Sequence, residues 1–253
     1  MKNDVTKMLD GAFYLNCIQN KNICISLIPK HATTNLIKFF VGTGPIGVNK
    51  DSPYGYMFEN TPYDISQNKP LIVVTRNETE RWCSGVVQEL NEYAEDFLQR
   101  GIRKRNPDEM WEFLDEKATR RFCDLRRNHR KSLLFWGNSH SQLVPIWVHL
   151  MPVLMQRNNV YFTDISCLKT LSFWSKVCVI DSSFPPVLEW FDDWINMYLG
   201  NNHNKKEMYD NKIVQEMVRD RILIRKEFEF ITDILDNNQR MLDYLKTTDR
   251  WLS

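Results

Sequence analysis

Early in the chain lies a run of residues that can hold an anion. Pro29-Lys30-His31-Ala32-Thr33-Thr34-Asn35 follows directly on the apolar run Ile23-Cys24-Ile25-Ser26-Leu27-Ile28. A short β-branched stretch, a Lys with two Thr, and then Leu36, Ile37, Phe39 and Phe40 at helical spacing read as strand, tight loop and helix. That order aims backbone N–H groups and a helix N-terminus at one spot. Unsatisfied donors and the helix dipole both favour negative charge there. Lys30 adds a mobile cation, and the Thr hydroxyls add short donors. The run is not the Walker pattern, which places glycines before its Lys, because no glycine lies between Gly11 and Gly42.

A second group of chemically capable residues follows Leu71-Ile72-Val73-Val74-Thr75, whose β-branched content marks a buried strand. Arg76 leaves its carboxyl end, and Ser84 follows eight residues later, on the first turns of the next helix. A guanidinium fork with a hydroxyl suits a phosphate monoester.

The elements that must position these residues alternate. Strands are expected at 23–28, 71–75, 133–136, 160–163 and 177–180. Helices are expected at 33–40, 79–100, 108–127, 141–155 (bent near Pro145 and Pro152), 166–174, 187–199 and 206–246. The segment 41–70 holds Gly42, Gly44, Pro45, Gly47, Pro53, Gly55, Pro62 and Pro70 and reads as loop-rich. Alternating strands and helices point to an α/β fold with a central parallel sheet flanked by helices. Ligands of such sheets bind at the carboxyl ends of the strands, where Lys30 stands. A single domain over 1–253 is expected, with C-terminal helices from 187 onward resting on it.

Composition narrows the class. At 253 residues and a formal net charge of +1, bulk charge points to no partner. Residues 100–131 nevertheless hold eleven Lys/Arg against six acids, which is either a solvated helical face or a surface for an anionic partner. Cys17, Cys24, Cys83, Cys123, Cys167 and Cys178 form no C-x-x-C pair and no zinc spacing. Most sit in apolar runs, which points to reduced thiols and a cytoplasmic setting. The start Met1-Lys2-Asn3-Asp4 has no apolar core of a signal peptide, and no apolar stretch reaches the roughly 18 residues of a membrane span.

The two motifs together resemble those of sulfotransferases. Pro29-Lys30-His31-Ala32-Thr33-Thr34-Asn35 looks like the family's 5′-phosphosulfate loop, roughly P-K-x-G-[ST]-T. Val73-Val74-Thr75-Arg76-Asn77-Glu78-Thr79-Glu80-Arg81-Trp82-Cys83-Ser84 looks like its 3′-phosphate motif, roughly V-x-R-[DN]-P-x-x-R-x-x-S. Asn138-Ser139-His140-Ser141-Gln142, followed by the segment 160–171, resembles a later region of the carbohydrate-type branch. Ala32 stands where the loop usually has Gly, Glu78 where the second motif has Pro, and Val86 where many members have Tyr. The resemblance covers about residues 23–175.

It implies a three-layer P-loop-like fold. It also implies transfer of a sulfuryl group from PAPS (3′-phosphoadenosine 5′-phosphosulfate) to a hydroxyl, leaving adenosine 3′,5′-bisphosphate. Lys30 would neutralise charge on the 5′-phosphate, and His31, Ala32, Thr33, Thr34 and Asn35 would cradle it. Arg76 and Ser84 would take the 3′-phosphate. The scheme requires no metal. Glu59 is the first choice for the general base and His140 the second. The loop 41–56 and the basic block 100–131 are where a hydroxyl acceptor would be read, with an anionic glycan suiting the block. Two other readings stand beside this one: a P-loop kinase-like enzyme using ATP and Mg²⁺, and a non-enzymatic anion- or nucleic-acid-binding module built on 100–131. The missing Walker pattern and the interleaved acids weigh against them. Trp136, Trp147, Trp174, Trp190 and Trp194 read as core, and Trp82 as core or as an adenine neighbour.

Overall fold

The computed structural model describes residues 15–41, 58–64, 67–92, 146, 150, 153–154, 158–181, 216, 218–226 and 229–253. The expected helices at 108–127 and 187–199, the expected strand at 133–136, the basic block 100–131, residues 42–56 and His140 lie outside the described residues. The chain divides into two compact units. Unit 1 comprises Met1–Ala12, Asn77–Pro145 and Asn204–Gln239; unit 2 comprises Phe13–Arg76, Ile146–His203 and Arg240–Ser253.

Unit 2 is built on a five-stranded sheet. Its strands are β1 (Asn16–Gln19), β2 (Cys24–Ser26), β3 (Glu59–Pro62), β4 (Leu71–Thr75) and β5 (Val160–Asp164), in the order β3-β1-β2-β4-β5. The sheet is mixed rather than wholly parallel. β2, β4 and β5 run parallel, whereas β1 is antiparallel to both β2 and β3. The expected parallel sheet is thus right for its three apolar strands and wrong for the β1–β3 side. There, residues 20–23 close a hairpin in which Asn20 Oδ1 accepts from the N–H groups of Asn22 and Ile23. β3 is an edge strand, which is where Pro62 is tolerated. On the opposite edge the C-terminal tail covers β5: Phe162 N donates to Arg250 O, and Leu252 N donates to Phe162 O.

Side chains along the strands separate by parity onto two apolar faces, as the pleat requires. Ile18, Ile25, Ile72 and Val74 join one cluster; Cys17, Cys24, Leu71, Val73, Val160 and Phe162 join the other. The first is covered by helix α1 (Thr33–Phe40) through Leu36, Phe39 and Phe40, and by α3 (Leu171–Ile180) through Phe173, Trp174 and Val177. Trp174 is fully buried between Phe39, Phe40 and Phe173, and its Nε1 donates to Leu168 O at 2.7 Å. An indole placed this way is core, as its sequence context indicates. The second face takes Ile146, Leu150 and Val153, helical residues at i, i+4, i+7 spacing, together with Leu245 and Trp251. A filled sheet face of this kind contributes about 1.5–3 kcal/mol for each large apolar side chain it hides.

The expected strand at 177–180 is instead the end of α3. Val177-Cys178-Val179-Ile180 has strand-like composition, but Thr170 caps a helix seven residues earlier by accepting from Phe173 N. Burial of Phe173, Trp174 and Val177 on one side carries that helix through. The helix expected at 166–174 is accordingly a short 3-10 turn, Cys167–Lys169, followed by α3.

Unit 1 contains helix α2 (Glu78–Glu92), a π-helical turn at Val218–Ile222, and α4 (Glu229–Leu245) as far as Gln239. Asn77 starts α2 by accepting from Glu80 N at 3.0 Å. The long helix expected at 206–246 is thus interrupted, within the described residues, between Ile222 and Glu229. No helix among the described residues is long and apolar enough to cross a membrane.

Candidate functional site

The Lys30 loop begins where β2 ends. Pro29 and Lys30 occupy the centre of a turn closed by His31 N donating to Ile28 O at 3.1 Å. Proline at the first central position with positive φ at the second has the form of a type II turn, and Lys30 takes φ 67°. Ala32 follows at φ 57° and then α1 starts, with Leu36 N donating back to Ala32 O at 2.9 Å. Ala32 thus holds a left-handed backbone, a conformation that suits glycine better than alanine. Thr33 Oγ1 donates to Ile28 O at 2.8 Å, so that hydroxyl braces the turn, whereas Thr34 is exposed. The amides of Ala32, Thr33 and Thr34 have no hydrogen-bond acceptor among the described residues. Three successive N–H donors at a helix start, with Lys30 beside them, can receive an anion's oxygens.

Parallel pairing decides what shares that edge. β2 and β4 are neighbours pointing the same way, so the loop after β2 and Arg76 after β4 stand at the same end of the sheet. Arg76 is half-buried. β5 ends at this edge too, and Ile165 N donates to Thr75 O at 2.8 Å, tying the two exits together. Asp164 is a polar residue of this edge that sequence reasoning did not single out. Its Oδ1 accepts from Ser166 N and Ser166 Oγ at 2.8 and 2.6 Å, closing the chain's exit from β5. The available signal was the strand at 160–163, whose carboxyl end it occupies.

Glu59 is not brought to this edge. It pairs with Gln19 in the β1–β3 ladder, and Gln19 pairs with Cys24 at the start of β2. Glu59 Oε1 accepts from Gln19 Nε2 at 2.8 Å, and the carboxylate lies at the end of the sheet opposite the Lys30 loop. That placement separates Glu59, the first choice for general base, from the Lys30 loop: Glu59 opens β3, which runs in the same direction as β2, so it stands at the amino end of these strands while the loop follows the carboxyl end of β2. Around Glu59 lies a hydrogen-bonded polar group. Lys69 Nζ donates to Asn20 O, and the buried Asp181 accepts from both Asn20 and Asn22.

Ser84 belongs to unit 1, where it is buried on α2 one turn after Arg81. Trp82 beside it is buried. Arg81 is taken up by Glu78, with Nε donating to Oε1 and Nη2 to Oε2.

Cys17, Cys24 and Cys83 are buried, as their apolar contexts indicate, and Cys167 and Cys178 are partly buried. Among the described residues no group of His, Cys, Asp and Glu is arranged to hold a metal ion. No protein-family model, no curated protein and no solved structure matches this chain.

Proposed function

We propose that the chain is a PAPS-dependent sulfotransferase that acts on a hydroxyl of a carbohydrate or other small acceptor. The observation that carries the reading is the shared sheet edge of the Lys30 loop and Arg76, at the ends of adjacent parallel strands. The order and spacing of the two sequence motifs, the second of which runs on to Ser84, add to it.

The open amides of Ala32, Thr33 and Thr34, with Lys30, fit the 5′-phosphate side of such a donor, and Arg76 fits its 3′-phosphate. When bound, the donor supplies the sulfuryl group: its S–O bond to phosphate breaks as the acceptor oxygen forms the new one. Lys30 neutralises the charge gathering on the phosphate oxygen that leaves. With the donor bound, the amides would hold its 5′-phosphate in place for transfer. The acceptor proton passes to a base, for which His140 remains the candidate.

Calorimetry with adenosine 3′,5′-bisphosphate, ADP and AMP tests the reading. Tight binding of the bisphosphate alone, lost in Arg76→Ala and weakened in Lys30→Ala, is the expected result. Equal binding of all three nucleotides, or of none, refutes it. Mg²⁺-dependent binding of ADP would favour the kinase-like reading instead.

A further inference from the structure

We propose that His31 is the positioning residue of the Lys30 loop: its imidazole replaces a missing strand partner on Val74 and so holds the loop in register with Arg76, two residues further along. The inference rests on the sulfotransferase reading for its functional consequence, though not for the mechanical one.

The geometry starts from β4. Residues of a strand turn their N–H and C=O groups alternately to one neighbour and the other. Leu71 and Thr75 face β5, shown by Leu71 N donating to Asn159 O and Ile165 N to Thr75 O. Ile72 and Val74 therefore face β2. The ladder with β2 stops at the Ile25–Ile72 pair, and β2 itself ends at Ser26. Val74 thus presents a donor and an acceptor, both buried, to a strand that has already left the sheet.

Two side chains fill the gap. Val74 N donates to Ser26 Oγ at 3.3 Å, and Val74 O accepts from His31 Nδ1 at 2.6 Å. A carbonyl can only accept, so Nδ1 carries the hydrogen. His31 is fully buried, and its backbone neighbours Lys30 and Ala32 both hold positive φ. Each left-handed non-glycine residue costs roughly 1–2 kcal/mol, so the loop keeps this shape only because its surroundings impose it. The short bond from the residue between them to β4 is a contact that does so. It also links the amides of 32–34 mechanically to the strand that delivers Arg76.

The test compares the full chain with His31→Asn, His31→Phe and His31→Gln. Asparagine can place an amide N–H near the Nδ1 position. Phenylalanine keeps the bulk without the donor, and glutamine moves the donor outward. Amide exchange at residues 30–36 is measured without nucleotide. Calorimetry follows with adenosine 3′,5′-bisphosphate and adenosine 3′-monophosphate. Loss of one buried hydrogen bond should speed loop exchange roughly tenfold in the Phe and Gln variants and weaken bisphosphate binding about tenfold. Binding of the 3′-monophosphate should stay within about twofold, and His31→Asn within about threefold of the parent throughout. The proposal is overturned if loop exchange is the same in all four proteins, if His31→Asn is no better than His31→Gln, or if both nucleotides weaken equally. A parent that does not bind the bisphosphate overturns the sulfotransferase reading, while the exchange data still decide the role of His31.

Discussion

Arg81 and Glu78 form a two-point ion pair sealed from solvent, with Nε donating to Oε1 at 2.7 Å, Nη2 to Oε2 at 3.1 Å, and side chains 1% and 0% exposed. Asn238 Nδ2 also donates to Oε2, and Glu78 N donates to Gln239 Oε1. Glu78 is the first residue of α2, a position that proline would also suit, but proline there would leave a buried guanidinium without its carboxylate.

Breaking this pair from one side strands a charge. Arg81→Met is expected to lower unfolding free energy by about 3–5 kcal/mol, because the carboxylate of Glu78 stays buried. The double change Glu78→Leu with Arg81→Met should cost clearly less than the sum of the two single changes. Urea unfolding of all four proteins measures the coupling. Additive costs would show that the two groups act independently.

The hairpin between β1 and β2 depends on a carboxylate far away in sequence. Asp181 Oδ2 accepts from Asn20 Nδ2 and Oδ1 from Asn22 Nδ2, both at 2.6 Å, at a residue with no solvent exposure. Hydrogen bonds to a charged group contribute about 1.5–3 kcal/mol each. Asp181→Ala should therefore destabilise the protein by at least about 2 kcal/mol, and amide exchange at residues 20–23 should accelerate. Unchanged exchange there would mean the turn holds without its clamp.

Ala32 sits in a backbone region suited to glycine. Ala32→Gly removes the Cβ clash at φ 57° but adds freedom to the unfolded chain. The balance is expected to stabilise by about 0.5–1 kcal/mol, read from the urea midpoint with an unchanged m value. A loss of stability would show that Ala32 contributes packing worth more than the strain it carries.

What could be read from the sequence follows from what each element is made of. The helix at 33–40 was legible from the spacing of its apolar residues and the strand at 71–75 from its β-branched content, and the structure places both at those residues. The short strands Asn-Cys-Ile-Gln and Glu-Asn-Thr-Pro were not, since each is held by its partner rather than by its composition. The antiparallel direction of β1 was equally hidden. Lys30 and Arg76 share an end of the sheet because both follow parallel strands, whereas Glu59 stands at the opposite end because it opens its strand rather than following one. His31 looked like a loop residue offering its N–H. Its bond to Val74 depends on the β2–β4 ladder stopping at Ile25–Ile72 while β4 runs on to Thr75, which no local pattern encodes.

The Cys17 thiol gives the protein an alkaline limit. Hydrogen-bond contact with the Cys24 thiol, followed by burial, pushes Cys17 well above the ordinary thiol range, with Lys69 opposing weakly. An unfolded thiol loses its proton near pH ~8.5. Above that pH the native chain still holds a proton that the unfolded chain has released, so stability must fall as pH rises. Below it both states are protonated and the full contribution is present. The slope from this one group approaches about 1.4 kcal/mol per pH unit. Urea unfolding of the parent and of Cys17→Ala at pH 7, 9 and 10.5 tests this. The two curves of stability against pH should diverge above pH ~9, with the variant the flatter. Parallel curves across that window would mean Cys17 ionises as readily in the folded chain as in the unfolded one.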